Sequence, residues 1–206
     1  MNGYGFFITG TDTGVGKTVV SALLARAWGA EYWKPVQTGP AADHDTPTVA
    51  RLAGVRCHAP VYALPEPLSP HEAARLAGVR IALEAIQPPV SERLLLVEGA
   101  GGVLVPLNEE HLMVDLMVRL GLPVIVVARS QLGTINHTLL SLAALRQAGC
   151  RIAGVVMNGP PNAANRRAIE HFGRVRVFAE LAPLPVLEPG ALALPAAGLP
   201  DWRSLL

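Results

Sequence analysis

Short apolar runs alternate along the chain with longer segments whose apolar residues recur at helical spacing. The apolar runs occupy residues 5–9, 32–36, 94–97, 124–128 and 152–157. Continuous runs of this length are typical of strands that are buried on both faces of a parallel sheet. The segments with helical spacing occupy residues 17–28, 111–120, 135–148 and 165–172. The alternation predicts an α/β fold with a doubly wound, mainly parallel sheet flanked by helices, whose ligands bind beyond the carboxyl ends of the strands.

The bulk composition fits one globular domain that spans residues 1–206. Half of the residues are hydrophobic and 16% are charged, which predicts a large and well-covered core. Because the formal net charge is +1 and the basic residues are scattered, we expect neither nucleic acid nor a membrane surface as a partner. The N-terminus lacks a signal-peptide pattern and the apolar runs are too short to span a bilayer, so we expect a cytoplasmic protein.

A glycine-rich segment between the first predicted strand and the first predicted helix, GTDTGVGKT at residues 10–18, predicts a phosphate-binding loop. Its glycines let backbone N–H groups turn towards an anion, and the N-terminus of the next helix adds positive potential. Lys17 is placed to reach the β- and γ-phosphates, and the Thr18 hydroxyl to ligate a bridging Mg²⁺. The loop departs from the usual G-x-x-x-x-G-K-[ST] spacing, because position 11 is threonine. We predict a P-loop NTPase-like domain that uses ATP and Mg²⁺.

Further motifs follow other predicted strands: KPVQTG at residues 34–39, VEGAGG at 97–102 and GVVMN at 154–158. Two lesser motifs are SPH at 69–71 and LGTINH at 132–137. In this order, together with the phosphate loop, the set resembles the dethiobiotin synthetase family. The resemblance implies a homodimer with its active site at the subunit interface. It also implies that the chain closes a cyclic urea from 7,8-diaminononanoate and CO₂ in biotin biosynthesis, by way of a carbamate and a carbamic-phosphoric anhydride, and gives dethiobiotin, ADP and phosphate.

The resemblance implies roles for particular residues of this chain. Catalysis falls to Thr13, Lys17 and Lys34. Nucleotide binding falls to Gly14, Val15, Gly16, Lys17, Thr18, Val19, Glu98 and Asn158. Substrate binding falls to Thr38, Gly101 and Asn136, and Mg²⁺ binding to Thr18, Asp45 and Glu98. These residue types suit the chemistry, because a carbamate and a γ-phosphate are both anions and need cations between them, and because Mg²⁺ prefers oxygen ligands.

Several of these assignments have alternatives. Asp43 lies two residues from Asp45 and is the alternative metal ligand. Asn158 has two interpretations. The resemblance implies that it reads the adenine edge, and the Gly-Pro that follows it favours a turn. Asn136 and His137 either bind the far carboxylate of the substrate across a dimer interface or cap and pack their helix. Many members of the family carry glutamate where this chain has Gly14.

Two other functions also fit a P-loop α/β chain. A related amidation enzyme, such as a cobyrinate diamide synthase, pairs its nucleotide domain with a glutaminase domain, for which 206 residues leave no room. A partitioning ATPase of the ParA/MinD type carries an extra lysine early in the phosphate loop, whereas this chain has no lysine before Lys17. The residues after Pro183 follow no clear pattern, and the sequence predicts no role for them.

Overall fold

Strands and helices alternate through most of the chain in a computed structural model that describes residues 5–206. The strands are β1 (Gly5–Gly10), β2 (Glu31–Trp33), β3 (Val36–Thr38), β4 (Cys57–His58), β5 (Tyr62–Leu64), β6 (Leu95–Gly102), β7 (Val124–Arg129), β8 (Ile152–Asn158) and β9 (Val177–Leu181). The α-helices are α1 (Lys17–Trp28), α2 (Asp45–Ala53), α3 (Pro70–Leu76), α4 (Met113–Leu120), α5 (Thr134–Gln147), α6 (Ala163–Gly173) and α7 (Ala193–Ala197). Short 3₁₀ helices cover Ala41–Asp43, Leu83–Ala85, Pro189–Leu192 and Trp202–Leu205.

The central sheet of the described chain has the strand order β4-β2-β6-β1-β7-β8-β9, and all its paired neighbours are parallel. The chain first forms the strands on one side of β1, where β6 inserts between β1 and β2, and then adds β7, β8 and β9 in turn on the other side. One apolar cluster joins Phe7 to side chains of α3, α4 and α5, and a second joins Phe6 to side chains of α1 and α2. Helices therefore cover both faces, and the predicted doubly wound parallel sheet is confirmed.

The apolar run at residues 32–36, predicted as one strand, is divided between two sheets. β2 ends at Trp33 in the central sheet, and β3 begins at Val36 and pairs with β5 in a separate two-stranded sheet. Pro35 explains the break, because proline has no N–H for a ladder hydrogen bond and restricts the residue before it. Lys34 is thereby placed at the carboxyl edge of the central sheet, directly after β2.

Among the other element boundaries that differ from the prediction, those of β6 and α4 have a clear physical cause. β6 extends to Gly102, so Glu98 lies inside the strand rather than after it. The glycine-rich end of β6 stays in the sheet because Gly102 lies opposite Gly10 of β1 after a shift in register, at which Gly101 has a left-handed φ of 65°. α4 begins at Met113 instead of residue 111, because the Asp115 carboxylate accepts the backbone N–H of Leu112 at 2.7 Å and caps the first turn.

The residues after β9 pack against α1. The Trp28 indole N–H donates to the carbonyl oxygen of Pro200 at 2.9 Å. Leu192 and Leu205 are buried in the same apolar cluster as the inner face of α1. The C-terminal segment thus covers part of one helical layer, which the sequence pattern did not reveal. Among residues 5–206, no helix combines the length and the apolar character that crossing a membrane requires.

Candidate active site

The phosphate loop joins β1 to α1, the strand–turn–helix context that the motif requires. Gly14 and Gly16 have φ values of 71° and 91°, a left-handed region that glycine adopts without steric cost. Lys17, the first residue of α1, is buried, and its Nζ donates to the carbonyl oxygen of Asp12 at 3.2 Å. The loop therefore curls around the lysine ammonium, as a phosphate cradle does.

Asn158 ends β8 and lies against the phosphate loop. Its Nδ2 donates to the carbonyl oxygen of Val15 at 2.9 Å. A Cβ atom on Gly16 would come within 2.0 Å of that Nδ2, so glycine is required for this contact. Asn158 thus braces the loop, a role that the sequence did not reveal, and its contact with adenine stays a prediction. The Val15 side chain is buried in the core, so only its backbone is available to a nucleotide.

Lys34 joins two carboxylates beside the loop. Its Nζ lies 2.5 Å from Asp45 Oδ2 and 3.2 Å from Glu98 Oε1. The other carboxylate oxygen of Asp45 accepts the hydroxyl of Thr18. The start of α1, the end of β2, the start of α2 and β6 converge here, and they bring together four residues that the sequence singled out. Asp45, and not the exposed Asp43, makes these contacts.

Burial and neighbouring charges have different net effects on the two lysines. Burial lowers the pKa of Lys17. The negative charge of Glu98 acts to raise this pKa and the positive charge of Lys34 acts to lower it, and the pKa stays below its usual value. Burial also acts to lower the pKa of Lys34, but the charges and hydrogen bonds of Glu98 and Asp45 outweigh it and raise the pKa. Burial acts to raise the pKa of Asp45, but the charge and hydrogen bond of Lys34 lower it below its usual value. Lys34 is therefore a protonated partner of two carboxylates, whereas the charge of Lys17 is poorly compensated.

Glu98 is 1% exposed and has two further partners that no motif indicated. The Ser21 hydroxyl donates to its Oε2 at 2.7 Å, and the Tyr32 hydroxyl donates to the same oxygen at 3.0 Å. The only sequence signals are weak ones. Ser21 lies one helical turn after Lys17, and Tyr32 lies two residues before Lys34, on the same side of an extended chain.

Two other side chains that the sequence did not single out brace the site. Gln37 is buried, and its Oε1 accepts the backbone N–H of Asp45 at 3.1 Å, which fixes the start of α2. Arg129 ends β7, and its guanidinium donates to Asp12 Oδ2 at 3.1 Å and to the Thr13 carbonyl oxygen at 2.9 Å. These bonds tie Asp45 and the phosphate loop to neighbouring elements.

A cavity of about 690 Å³ opens beside the loop, a volume typical of ligand sites. The predicted site residues in its lining are Thr13, Gly14, Gly16, Lys17, Thr18, Val19, Lys34, Thr38, Asp45, Glu98 and Gly101. Residues 67–70 line another part of its wall. Most of the residues that the sequence connected with one reaction therefore surround one space.

Asn136 and His137 are exposed on α5 and lie outside the lining of this cavity. His137 instead lines a second cavity of about 310 Å³, together with residues 11–13 and 102–105. Asn136 therefore does not line this cavity from within one chain, and its contact with substrate stays a prediction. It would need a second copy of the chain packed against the cavity.

The cluster around Lys34 fits a divalent cation. Thr18, Asp45 and Glu98 offer one hydroxyl and two carboxylates, the oxygen ligands that Mg²⁺ prefers. Both carboxylates contact one ammonium, so the space between them already accommodates positive charge. Residues 5–206 contain no group of three or more His, Cys, Asp or Glu side chains that could hold a metal ion. A Mg²⁺ ion here would take its remaining ligands from nucleotide phosphates and water.

Comparisons with known proteins give a consistent result. A family model described as an AAA domain matches residues 4–191. The chain is 58% identical over 197 residues to an ATP-dependent dethiobiotin synthetase BioD from Paramagnetospirillum magneticum, covering 95% of this chain and 94% of that protein. It is 48% identical over 191 residues to the BioD of Agrobacterium fabrum, covering 91% and 90%. It is also 54% identical over 206 residues to a biotin biosynthesis bifunctional protein BioCD from Bordetella avium, covering 98% of this chain but 44% of that protein.

Solved structures with the same fold are more distant in sequence. The septum site-determining protein MinD complexed with Mg-ADP from Pyrococcus horikoshii has a TM-score of 0.55 at 16% identity, covering 98% of this chain and 88% of that one. A nucleotide-binding protein in complex with ADP from Archaeoglobus fulgidus has a TM-score of 0.54 at 16% identity, covering 98% and 90%. At these identities the likeness shows the fold alone.

Proposed function

The chain belongs to the ATP-dependent dethiobiotin synthetase family, and from this premise we propose how its residues carry out the family's reaction. It is an ATP-dependent ligase of biotin biosynthesis that forms carbon–nitrogen bonds. We place the reaction in the cavity beside the phosphate loop. The observation that carries this assignment is Lys34, a buried ammonium between two carboxylates, close enough to Lys17 to lower the pKa of that lysine.

The reaction brings two anions together. One amine of the diamine adds to CO₂ and loses a proton, which gives a carbamate. A carbamate oxygen then attacks the γ-phosphorus and ADP leaves, so a carbamic-phosphoric anhydride forms. The second amine attacks the carbonyl carbon, phosphate leaves, and loss of a proton completes the ring. Because carbamate and γ-phosphate repel each other, positive charge fixed in a dry site lowers the barrier to their approach.

We assign that positive charge to Lys17 and Lys34. Lys17 lies under the phosphate loop and serves the phosphates, while Lys34 lies where the carbamate would meet the γ-phosphate. Thr13, in the loop at the rim of the cavity, would contact the transferred group. Magnesium, when bound with ATP, supplies further positive charge at the phosphate oxygens.

Most of the remaining assignments follow from the lining of the cavity, to which neither Val15 nor Asn158 contributes. Thr18, Asp45 and Glu98 would hold the Mg²⁺ ion. Thr38 and Gly101 line the same cavity and would contact the diamine. The backbone of residues 14–19 would bind the nucleotide, with Asn158 reading its base.

We further propose a homodimer with the active site at the subunit interface. Three large apolar side chains are strongly exposed on one part of the surface: Leu104 (58%), Leu132 (105%) and Leu140 (61%). Leu104 and Leu140 line the second cavity beside the phosphate loop, and Leu132 lies two residues before α5. A partner chain packed here would cover these side chains and bring Asn136 to the substrate. We propose that this dimer acts in the cytoplasm, without nucleic acid or a membrane as a partner.

Product release tests the function. With Mg·ATP we expect ADP and phosphate only when the diamine and bicarbonate are both present, because the carbamate must form before phosphoryl transfer. Release that requires DNA or lipid vesicles instead would indicate a partitioning ATPase.

Lys34→Met tests the role that we assign to Lys34. This variant keeps the volume of the side chain and removes its charge, and we expect turnover to fall by about 10³-fold or more. Arg26→Met, the same change of charge at an exposed position of α1, is the control and should keep full activity. Normal turnover in a folded Lys34→Met protein would refute the assignment.

A further inference from the structure

The two carboxylate oxygens of Glu98 have different surroundings. Oε2 accepts hydrogen bonds from the hydroxyls of Ser21 and Tyr32, and both of these residues are fully buried at 0% exposure. Oε1 contacts Lys34 at 3.2 Å. Glu98 and Lys34 line the cavity beside the phosphate loop, whereas Ser21 and Tyr32 do not. One oxygen is therefore tied to the interior, and the other is turned towards the reacting groups.

The two hydroxyls approach Glu98 from separate elements. Ser21 lies in α1, three residues after Thr18, and Tyr32 lies in β2, two residues before Lys34. Ser21 therefore shares α1 with Thr18, and Tyr32 lies in the strand that directly precedes Lys34. A terminal carboxylate torsion is otherwise broad, so a glutamate side chain without such partners has no single preferred orientation.

The Tyr32 hydroxyl is a hydrogen-bond donor to Glu98 Oε2. Burial, together with the negative charges of Glu98 and Asp45, raises the pKa of Tyr32 well above its usual value. A buried carboxylate that has lost water needs such donors, because an unsatisfied polar atom in the interior is costly.

We propose that Tyr32 and Ser21 are positioning residues for the metal side of the active site. They hold Glu98 by Oε2 so that Oε1 alone is presented to Mg²⁺. The inference rests on the proposed function, in which Glu98 is a metal ligand. Partners that orient a metal ligand typically change metal affinity by about ten- to a hundredfold when they are removed.

The test measures metal affinity directly, with Mn²⁺ as a paramagnetic probe in the presence of ADP and without turnover. Tyr32→Phe keeps the ring and removes the hydroxyl, and we expect Mn²⁺ to bind about tenfold more weakly. Ser21→Ala should act in the same direction and provides a second variant should Tyr32→Phe fold poorly. In turnover assays, the Mg²⁺ concentration that gives half-maximal rate should rise in both variants.

Tyr62→Phe is the matched control. It removes a hydroxyl that accepts the backbone N–H of Ala82 at 3.0 Å, so it loses one hydrogen bond outside the Glu98 cluster. We expect it to lower the melting temperature about as much as Tyr32→Phe and to leave Mn²⁺ affinity unchanged. Unchanged Mn²⁺ affinity in both Tyr32→Phe and Ser21→Ala would overturn the inference and leave these residues a purely structural role.

Glu98→Gln separates this inference from the proposed function. Weaker Mn²⁺ binding in Glu98→Gln, with normal binding in the two hydroxyl variants, would overturn only the positioning role. Normal Mn²⁺ binding in Glu98→Gln would remove Glu98 from the ligands, and the inference would fall with that assignment.

Discussion

Lys17 and Lys34 are the only lysines among the 206 residues, and the other fifteen basic side chains are arginines. Arginine keeps its charge in every environment, whereas the charge of lysine responds to burial and to neighbours. Both lysines are almost completely buried, at 7% and 6% exposure, and they line the same cavity. A lysine-selective reagent therefore reports on the active site, apart from the N-terminal amine.

The two lysines should differ in reactivity. Acylation requires the neutral amine, and the pKa of Lys17 is lowered while that of Lys34 is raised. In protein free of metal and nucleotide, we expect acetylation of Lys17 to set in at lower pH than acetylation of Lys34. Peptide mass spectrometry after brief treatment with acetic anhydride between about pH 7 and 10 measures both sites in one sample. Acetylation of Lys34 at a lower pH than that of Lys17 would contradict these pKa directions.

Gly16 is the backbone position where the loop tolerates no side chain. Gly16→Ala would place a Cβ at a φ of 91° and within 2.0 Å of Asn158 Nδ2. The strained backbone should cost about 1–2 kcal/mol of stability, and the displaced Asn158 should weaken ATP binding in calorimetry by about tenfold or more.

Gly54→Ala is the control for Gly16→Ala. Its φ is 68° and a Cβ there meets nothing within 4 Å, so the backbone strain is similar and the clash is missing. We expect this variant to lose stability and to keep its ATP affinity. Equal loss of ATP affinity in both variants would show that Asn158 does not brace the loop.

Among the strands and helices, the sequence predicted those whose residue pattern lies within the element itself. The strands β1, β7 and β8 were found because strands buried on both faces appear as continuous apolar runs. β3, β4, β5 and β9 were missed. The first three have only two or three residues, too few for a period, and Glu180 interrupts the apolar run of β9. The glycines after Glu98 suggested a turn, but β6 continues to Gly102, which pairs with Gly10 of β1 after an irregularity that includes Gly101.

In the candidate site too, contacts between residues that are distant in sequence were not predicted. The phosphate loop was predicted because its glycines and Lys17 are adjacent in sequence. Tyr32 was missed because its partner, Glu98, is 66 residues away, and no local pattern records that contact. The bond between Asn158 and Val15 spans 143 residues and was missed for the same reason.

The C-terminal segment offers a test of an element that the sequence did not explain. Leu192 is 0% exposed and packs with the core on the α1 side of the sheet. Leu192→Ala should therefore lower the free energy of unfolding by about 2–5 kcal/mol in urea denaturation. Leu194→Ala, two residues on and 87% exposed, is the control and should change it by less than about 0.5 kcal/mol. Similar effects of the two changes would show that the segment does not pack against α1.

The whole molecule presents its site at the carboxyl edge of a sheet that other P-loop proteins share. The fold alone does not define a function, as the likeness to MinD illustrates. The proposed function rests instead on Lys17 and Lys34 and on the acids Asp45 and Glu98, which line one cavity. The exposed position of Asn136 on α5 suggests that one chain does not complete this site.

Complementation between two inactive variants tests whether a partner chain completes it. Lys34→Met removes the central cation, and Asn136→Asp places a negative charge where the substrate's carboxylate would bind, so each protein alone should be nearly inactive. If Asn136 of one protomer serves the cavity of the other, a hybrid dimer contains one intact site. After equal amounts are unfolded and refolded together, half of the dimers are hybrids, so we expect about a quarter of wild-type activity.

Hybrids of Lys34→Met with Lys17→Met are the control for this experiment. Both changes affect the cavity within one chain, because both lysines line it together. One chain of such a hybrid lacks Lys17 and the other lacks Lys34, so neither cavity is intact and no activity should return. Sedimentation of the mixtures checks that dimers have formed. If dimers form and the Lys34→Met and Asn136→Asp mixture stays inactive, Asn136 does not reach across an interface, and the proposed interface around α5 is wrong.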